Sequence, residues 1–296
     1  MNTSNWLATQ FEAERPRLRA LAYRMLGSLS EAEDAVQESW LHLSRSDTST
    51  ISNLGGWLTT TVARICLNML RVRKSRPEDS LEAKVTDLEA MLGGSQSSDP
   101  VQEVELADAI GLALLVVLDR LTPAERLAFV LHDIFAVPFD EIAPLVGRSE
   151  AATRQLASRA RRRVRGGAPV QDAELVAQRE VIEAFLTAAR EGSLDELLTV
   201  LDPDVVFRIE SQALSAGAGR ELHGSAAAAT LIVKHTQLFW SCGTALVNGS
   251  VGIIVAPYGK LRAVGIPVIS KGKIIALTTI IDPVRLQQMH LAILDN

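Results

Sequence analysis

A run of arginines with interleaved polar residues occupies positions 147–165 of the chain. It holds seven arginines and a single acid, Glu150. On a helix, an arginine can make a bidentate contact to a guanine edge and a glutamine to adenine, while further arginines neutralise phosphates. The pattern therefore favours DNA binding over a solvated basic helix end. The candidates for these contacts are Arg148, Ser149, Arg154, Gln155, Ser158, Arg159 and Arg162.

A second basic cluster lies at positions 71–76, and Trp57 lies upstream of it. The candidates here are Trp57, Asn68, Arg71, Arg73, Lys74 and Arg76. Aromatic rings beside basic residues suit single-stranded nucleic acid, because bases stack on the rings. The helix dipole also favours a basic helix end, and Trp57 suits a buried core equally well, so the residues alone leave both interpretations open.

The charge of the chain is segregated, although the net charge is only −5. Between the two basic clusters, residues 78–108 hold nine acids and one base, Lys84. Two basic clusters separated by an acidic stretch indicate two contacts on one polyanion, joined by a linker that stays off it.

Apolar spacing predicts helices around both clusters. A first helix, with Leu18, Leu21, Ala22, Met25 and Leu26 at helical spacing, is expected to end at Gly27. Ser30 and Glu33 predict a capping box for the second helix. Its buried side is predicted to hold Ala35, Val36, Trp40, Leu41 and Leu43. A third helix is predicted from Trp57 to about Lys74, ending before Pro77.

The arginine run follows a short predicted helix. Phe139–Val146 has helical spacing, Gly147 would stop that helix, and Ser149 would cap the next one. A short helix, a tight turn with glycine and an arginine-rich helix are typical of a helix-turn-helix. The inward face of its second helix is predicted to be Thr153, Leu156, Ala160 and Val164.

These residues resemble a known family. The stretch from Ala22 to Leu43 resembles region two of bacterial RNA polymerase sigma factors, with its Asp-Ala-x-Gln-Glu element at positions 34–38. Leu121 to Val164 resembles sigma region four, including its Asp-Glu-Ile-Ala step at 140–143. No region three lies between them, so the chain is identified as a member of the extracytoplasmic-function (ECF) group.

The resemblance implies partners and roles. A sigma factor binds core RNA polymerase, here through its beta-prime clamp and beta flap, and promoter DNA. The helix with Asp34, Gln37, Glu38 and Trp40 would dock on the clamp. The block from Trp57 to Arg76 would melt and hold the minus-ten element. The arginine-rich helix would read the minus-thirty-five element in the major groove.

The C-terminal part has a different composition. A helix is predicted over 173–190 and another over 194–201, followed by strands at 205–209, 245–247, 251–255, 261–269 and 274–281. The pairs Asn248–Gly249, Tyr258–Gly259 and Lys271–Gly272 are hairpin signals. This part resembles the SnoaL-like, NTF2-like cone domains that a subgroup of ECF sigma factors carries. That resemblance implies a regulatory loop and contacts at Gly217, Gly219, Arg220, Asp282, Pro283 and Arg285, although the loop departs from the Asp-Gly-Gly-Gly-Lys form of the subgroup.

The predicted fold is multidomain: two all-α domains, then an α+β NTF2-like cone domain. We expect a region-two domain over 1–76, an acidic flexible linker over 77–100, a region-four helix-turn-helix domain over 101–167 and the cone domain over 172–296. The cone domain would contact the sigma core within the same chain and regulate it, with a small molecule as a possible ligand.

Few residues suggest catalysis or a cofactor. Acid–base work in the cone would need two of Glu210, His223, His235 and Tyr258 to face one cavity, and their spacing does not establish this. Cys66 and Cys242 are isolated and match no metal-site spacing, and no P-loop or GxGxxG is present. We therefore expect no catalytic residues, no metal and no cofactor.

The sequence also favours a cytoplasmic location without membrane contact. The N-terminal residues lack the basic start and apolar run of a signal peptide. The longest apolar run, 109–118, is shorter than the roughly 20 residues that a membrane-spanning helix needs.

Two rival functions stay in view. One is a ligand-sensing helix-turn-helix regulator that never joins polymerase, for which the Asp34–Glu38 helix would have no purpose. The other is an isomerase of the ketosteroid type fused to a DNA-binding part, which would need a paired acid and base in the cone.

Overall fold

The structure, a computed structural model, describes residues 3–47, 51–75, 111–166, 173–210 and 220–294. The chain divides into two compact units. Among the described residues, the first unit contains residues 3–47, 51–75 and 118–162, and the second contains residues 111–117, 163–166, 173–210 and 220–294. The predicted acidic linker, Arg76, Gly217 and Gly219 lie outside the described residues, and so do the side chains of Lys74, Arg220 and Tyr258. The four domain boundaries stay predictions.

Three helices begin the first unit: α1 (Thr3–Leu26), α2 (Leu29–Arg45) and α3 (Leu54–Ser75). Helix α1 ends at Gly27 as predicted, with φ +73° and its N–H donating to the Tyr23 carbonyl oxygen at 2.8 Å. The predicted core residues Leu18, Leu21, Ala22, Met25 and Leu26 are all buried.

Two details of α2 differ from the prediction. Its N-cap is Ser28, whose Oγ accepts the N–H of Glu31 at 3.4 Å, because Ser28 and Glu31 offer the same spacing two residues earlier, directly after the glycine. Glu33 instead pairs with Arg15 and Arg19 of α1, each at 3.4 Å. Leu41, predicted to be buried, is 44% exposed, because it lies two turns after Asp34 on the same outward face.

Four further helices contain the helix-turn-helix: α4 (Leu112–Asp119), α5 (Pro123–Phe129), α6 (Phe139–Val146) and α7 (Glu150–Arg165). A π-helical turn, Val130–Ile134, follows α5. Helix α6 ends at Gly147, with φ +67°, and the Oγ of Ser149 accepts the N–H of Ala152 at 3.2 Å at the start of α7. The predicted helix, glycine stop and serine cap are confirmed.

The C-terminal domain combines five helices and a seven-stranded sheet within the described residues. The helices are α8 (Ala173–Glu191), α9 (Leu194–Val200), α10 (Ser225–Lys234), α11 (Thr236–Phe239) and α12 (Pro283–Gln288). The strands are β1 (Leu201–Glu210), β2 (Arg220–His223), β3 (Cys242–Val247), β4 (Ser250–Val255), β5 (Ala263–Ser270), β6 (Lys273–Ile280) and β7 (Leu291–Ala292).

The strand order is β2-β1-β6-β5-β4-β3-β7. Strands β3 to β6 form the predicted antiparallel meander, while β1 runs parallel to β6. The hairpin signals at Asn248–Gly249 and Lys271–Gly272 are confirmed, because all four residues have positive φ, as a two-residue hairpin turn requires. Gly259 instead ends a 3₁₀ turn, Pro257–Gly259, in the longer connection between β4 and β5.

One sheet face packs against α8 and α10 and forms an aliphatic core with Phe185 inside it. The helices do not fill the space completely, and a cavity remains between them and the sheet. Two helical domains followed by an α+β domain is the predicted fold class, which is confirmed.

Within the second unit, the start of α4 lies against the sheet. A methyl group at Gly243 would lie 3.4 Å from the Cβ of Leu112 and 3.9 Å from Ile254. A methyl group at Gly259 would lie 3.4 Å from the Cβ of Leu115. Since α4 is apolar on nearly all sides, it requires burial, and this sheet face provides it.

Candidate nucleic-acid interface

Helix α7 presents one buried and one polar face. Thr153, Ala157, Ala160 and Val164 are buried. Ala157 takes the inward place predicted for Leu156, which is half-buried at the margin of the face. The predicted DNA-contacting residues Arg148, Ser149, Arg154, Gln155, Ser158, Arg159 and Arg162 are all exposed.

The first turn of α7 is rigidly built. Arg154 forms an ion pair with Glu150 one turn earlier, and its guanidinium lies 5.7 Å from the centre of the Phe139 ring. Phe139 in turn stacks on His132, with ring centres 3.8 Å apart. Glu150 and the stacked pair of Phe139 and His132 therefore restrain the Arg154 side chain.

The other arginines on this surface divide into paired and unpaired residues. Arg161 forms an ion pair with Asp133 at 2.7 Å, so its charge is balanced within the domain. Arg148, Arg159 and Arg162 are exposed and form no ion pair with any residue that the structure describes. Unpaired arginines at helical spacing repel one another, so a polyanion laid along them would relieve that repulsion.

A groove of about 710 Å³ runs between α2 and α3. Trp57 and Asn68, predicted to hold single-stranded DNA, both line it, together with Thr60, Thr61 and Arg64. Trp57 is half-buried, so its ring serves the core on one side and the groove on the other. The groove therefore has an aromatic residue, Trp57, in its wall, on which a base could stack.

Sequence reasoning missed Arg64, which lies one turn before Asn68 and seven residues before Arg71. All three side chains are exposed and form a stripe along α3. Arg64 stands outside the dense basic cluster, but its spacing of four and seven residues from Asn68 and Arg71 places it on their face. That helical spacing was the signal available in the sequence.

Arg73, predicted to contact single-stranded DNA, forms contacts within the helical domain. Its guanidinium forms an ion pair with Glu31 of α2 and donates a hydrogen bond to the Leu26 carbonyl oxygen at 3.3 Å. Arg73 therefore ties α3 to the α1–α2 junction, and its contact with single-stranded DNA stays a prediction.

The outer face of α2 combines acids with one apolar residue. Asp34, Gln37, Glu38 and Leu41 are exposed at helical spacing. Glu38 lies 3.6 Å from His42, while Asp34 has no charged partner among the described residues. Beside this face, Gln37 and Trp40 line a second groove, of about 430 Å³, where Trp40 packs on Phe11 with ring centres 5.0 Å apart. Gln37 and Trp40 thus line the α1–α2 groove, while Glu38 lines the α2–α3 groove on the other side of the exposed face.

The four acid–base candidates of the C-terminal domain do not converge among the described side chains. His235 lines the cavity. Glu210 pairs with Arg285, and His223 lies 3.2 Å from Glu221 with its ring 65% exposed. Of the three candidates with described side chains, only His235 lines the cavity. No His, Cys, Asp or Glu cluster suited to a metal occurs in the described ranges.

Three predicted regulatory residues have structural roles at the start of α12. Asp282 is buried and caps the helix, its Oδ1 accepting the Arg285 N–H at 2.8 Å, and Pro283 occupies the first turn. Arg285 reaches Glu210 at the end of β1. The late Asp-Pro-x-Arg element therefore fastens α12 to the sheet.

Comparison with known families assigns both helical domains. Residues 10–76 match the model of Sigma-70 region 2, and residues 111–164 match that of Sigma-70 region 4. The first match contains the α2 face and the α2–α3 groove, and the second contains the helix-turn-helix. These regions define a sigma factor.

Individual relatives give the narrower assignment. The chain is 40% identical over 254 residues to the ECF RNA polymerase sigma factor SigJ of Mycobacterium tuberculosis, an alignment that covers 84% of this chain and 80% of the relative. It is 39% identical over 215 residues to a probable ECF sigma factor, SigI, of the same organism, covering 72% of each chain. The crystal structure of M. tuberculosis SigJ matches at 33% identity over 94% of this chain and 98% of that chain, with a TM-score of 0.42. The chain belongs to the ECF RNA polymerase sigma factors.

None of the helices within the described ranges is long and apolar enough to cross a membrane.

Proposed function

We propose that this chain binds core RNA polymerase, recognises a promoter through its two helical domains and directs transcription initiation, under the control of its own C-terminal domain. The observation that carries the proposal is one chain that combines the exposed α2 face with two nucleic-acid surfaces. A stand-alone regulator would need the helix-turn-helix but would have no use for Asp34, Gln37 and Glu38 on an outward face.

The two nucleic-acid surfaces have different chemistry, which suits the two parts of a promoter. Helix α7 offers arginine and glutamine side chains for base edges of duplex DNA and unpaired arginines for phosphates. The α2–α3 groove offers a tryptophan wall and a basic stripe, which suit a single strand with an unstacked base. We assign α7 to the minus-thirty-five element and the groove to the minus-ten element.

Control by the C-terminal domain rests on contacts inside the second unit. The apolar start of α4 lies on the outer sheet face. At the other end of the helix-turn-helix, the Val164 carbonyl oxygen of α7 accepts the N–H of Ile293 at 2.8 Å. The C-terminal domain therefore contacts the start of α4 and the end of α7, and these contacts support the proposal that it controls promoter binding.

Run-off transcription with purified core polymerase and DNA that includes the gene's own upstream region tests the sigma assignment. We expect specific initiation with the full chain and its loss in the isosteric double variant Asp34→Asn, Glu38→Gln. The matched control is Asp195→Asn, Glu196→Gln, which removes two exposed acids from α9. DNA binding without initiation, in the full chain and in a chain ending at residue 167, would support the stand-alone regulator instead.

The same assay tests the regulatory role. Removing residues after 167 should change the amount of run-off product at equal protein concentration, because the contacts to α4 and α7 are then lost. Equal product from the truncated and full chains, with and without cell extract, would contradict control by the C-terminal domain. For the isomerase rival, only His235 of the candidate residues with described side chains lines the cavity, while Glu210 pairs with Arg285 and His223 lies against Glu221.

A further inference from the structure

The C-terminal domain contains a cavity of about 580 Å³ between the inner sheet face and helices α8, α10 and α11. This volume lies in the range of sites that enclose a small organic molecule. Its mouth is marked by Leu231, which is 41% exposed, and by the half-exposed side chains of Arg208 and Glu221. A small molecule could therefore enter from solvent without unfolding the domain.

The interior of the cavity is apolar. Three phenylalanine rings surround it, and Phe185 stands edge-on to both Phe207, at 6.5 Å, and Phe239, at 6.0 Å, between ring centres. Aliphatic side chains of the sheet, Ile253, Val255 and Leu277, complete the wall. Such a lining gains free energy from removing apolar surface from water and favours a hydrophobic guest with ring character.

Two polar side chains in the lining have no hydrogen-bond partner. The His235 ring and the Thr279 hydroxyl both line the cavity, and neither bonds to any described residue. Each offers a donor or an acceptor to a guest. A hydroxyl or carbonyl group on an otherwise apolar molecule would satisfy them.

The charges at the mouth cancel each other. Arg208 donates to Glu221 at 2.6 Å across β1 and β2, and this hydrogen bond lowers the pKa of the Glu221 carboxyl. No unpaired arginine, lysine or carboxylate among the described lining residues remains to hold an ionic guest. The Cys242 thiol, which also lines the cavity, is kept protonated because burial raises its pKa to about 12, so it is a poor nucleophile.

We propose that this cavity is a binding site for an uncharged, largely apolar small molecule that contains a ring and one or two hydrogen-bonding groups, held without a covalent bond. His235 and Thr279 would orient the molecule, and the phenylalanine rings would supply most of its affinity.

The sheet links this pocket to region four, and this step rests on the proposed function. Strand β3 places Cys242 at the cavity and the next residue, Gly243, on the opposite face, against Leu112. Strand β4 repeats the arrangement with Ile253 inside and Ile254 outside. One layer of backbone therefore separates the guest from α4, and occupancy of the pocket would change how α4 is held.

Titration of the full chain with N-phenyl-1-naphthylamine, a neutral fluorophore of this class, tests the site. We expect one saturable binding event. Leu231→Trp narrows the mouth and should weaken binding about tenfold or more. Val268→Trp is the matched control, because Val268 is 49% exposed, lies on the sheet outside the cavity and receives the same ring.

Each outcome decides a defined point. Absence of saturable binding, or equal binding by both variants, overturns the site. Binding blocked by Val268→Trp alone places the apolar probe on the outer sheet surface and also overturns it. Thr279→Val should leave the naphthylamine affinity nearly unchanged but weaken 1-naphthol, whose hydroxyl needs a partner; equal affinity for 1-naphthol would contradict the orienting role.

The link to transcription is measured separately. A probe concentration that saturates the wild-type chain but not Leu231→Trp should change the amount of run-off product with the wild-type chain and not with the variant. Binding without such a change overturns the link and leaves the site intact. A chain that binds the probe but never initiates transcription contradicts the proposed function and leaves the site intact, so the failures are distinguishable.

Discussion

The Nε–H of Arg126 donates a hydrogen bond of 2.9 Å to the backbone carbonyl oxygen of Arg24, and this contact joins α5 to α1 inside the first unit. Arg126 is 3% exposed and lies 3.6 Å from Asp119. Burial lowers its pKa to about 10, so the guanidinium is still charged at neutral pH. Region two and the helix-turn-helix thus share a buried cation.

We predict that Arg126→Ala destabilises the first unit by about 3 kcal/mol, because the Arg24 carbonyl and Asp119 lose their partner and a cavity remains. Urea unfolding followed by circular dichroism measures the change. The control is Arg162→Ala, an exposed and unpaired residue of the same domain, which should change stability by at most about 0.5 kcal/mol. Equal effects of the two variants would mean that the buried hydrogen bond contributes nothing.

Helix α7 allows a prediction about DNA affinity. Arg159→Ala and Arg162→Ala should each reduce affinity for cognate and unrelated duplexes alike and lower the slope of log affinity against log salt by about 0.9. Arg161→Ala is the matched control, because Arg161 is paired with Asp133 on the same helix. Fluorescence anisotropy over a salt series measures the slopes, and an unchanged slope for both test variants would contradict phosphate contacts.

Gln155→Ala should act differently. If Gln155 reads a base edge, its loss should cost about 1–3 kcal/mol on the cognate duplex and almost nothing on unrelated DNA. Competition binding with single-base variants of the promoter then shows discrimination lost at one position only. A uniform loss across all sequences would place Gln155 on the backbone.

The structure also separates what the sequence could predict from what it could not. Helix ends at Gly27 and Gly147 and the turns at Asn248–Gly249 and Lys271–Gly272 depend on local chemistry, so their residue types predicted them. Strand β2, the parallel pairing of β1 with β6 and the cavity depend on contacts between residues far apart in sequence. Periodicity in a short window contains no information on such contacts.

The same distinction holds at the candidate interfaces. The exposed residues of α7 follow from a clear helical period, and the structure places all of them outward. Arg73 is of a residue type that commonly contacts DNA, yet it forms an ion pair with Glu31, which lies forty-two residues earlier. Residue type predicts which side chains can bind a phosphate, and only the tertiary neighbours decide which of them are available.

The two cysteines predict a pH dependence. Burial raises the pKa of both Cys66 and Cys242 from 9.0 to about 12. Between these values the unfolded chain has lost the thiol protons that the folded chain retains, so stability is fully present below pH 9 and falls as pH rises toward 12. Each thiol should cost about 1 kcal/mol of stability between about pH 8 and about pH 10.

Cys66→Ala and Cys242→Ala isolate this contribution. Each variant is less stable at pH 8 because it leaves a small cavity, but its loss between the two pH values should be smaller than that of the wild-type chain by about 1 kcal/mol. Urea unfolding at both pH values measures the difference. Parallel pH curves for variant and wild type would show that the thiol titrates alike in the folded and unfolded chains.

The joint at the end of α7 gives the last prediction. Gly166 has φ +66°, and a methyl group there would lie 2.5 Å from the Cβ of Ala292 in β7. Gly147 has nearly the same backbone conformation, φ +67°, but nothing lies within 4 Å of such a methyl group. Both alanine variants therefore share the backbone strain of about 1 kcal/mol, and only Gly166→Ala adds a clash.

We expect Gly166→Ala to push β7 away from α7 and to break the hydrogen bond from Ile293 to Val164. Hydrogen exchange of the Ile293 amide should accelerate in this variant and stay unchanged in Gly147→Ala. If the hydrogen bond between Ile293 and Val164 controls promoter binding, Gly166→Ala should also reproduce part of the transcriptional effect of removing the C-terminal domain. If the Ile293 amide still exchanges slowly in Gly166→Ala, the hydrogen bond between Ile293 and Val164 does not depend on the close approach of residue 166 to Ala292.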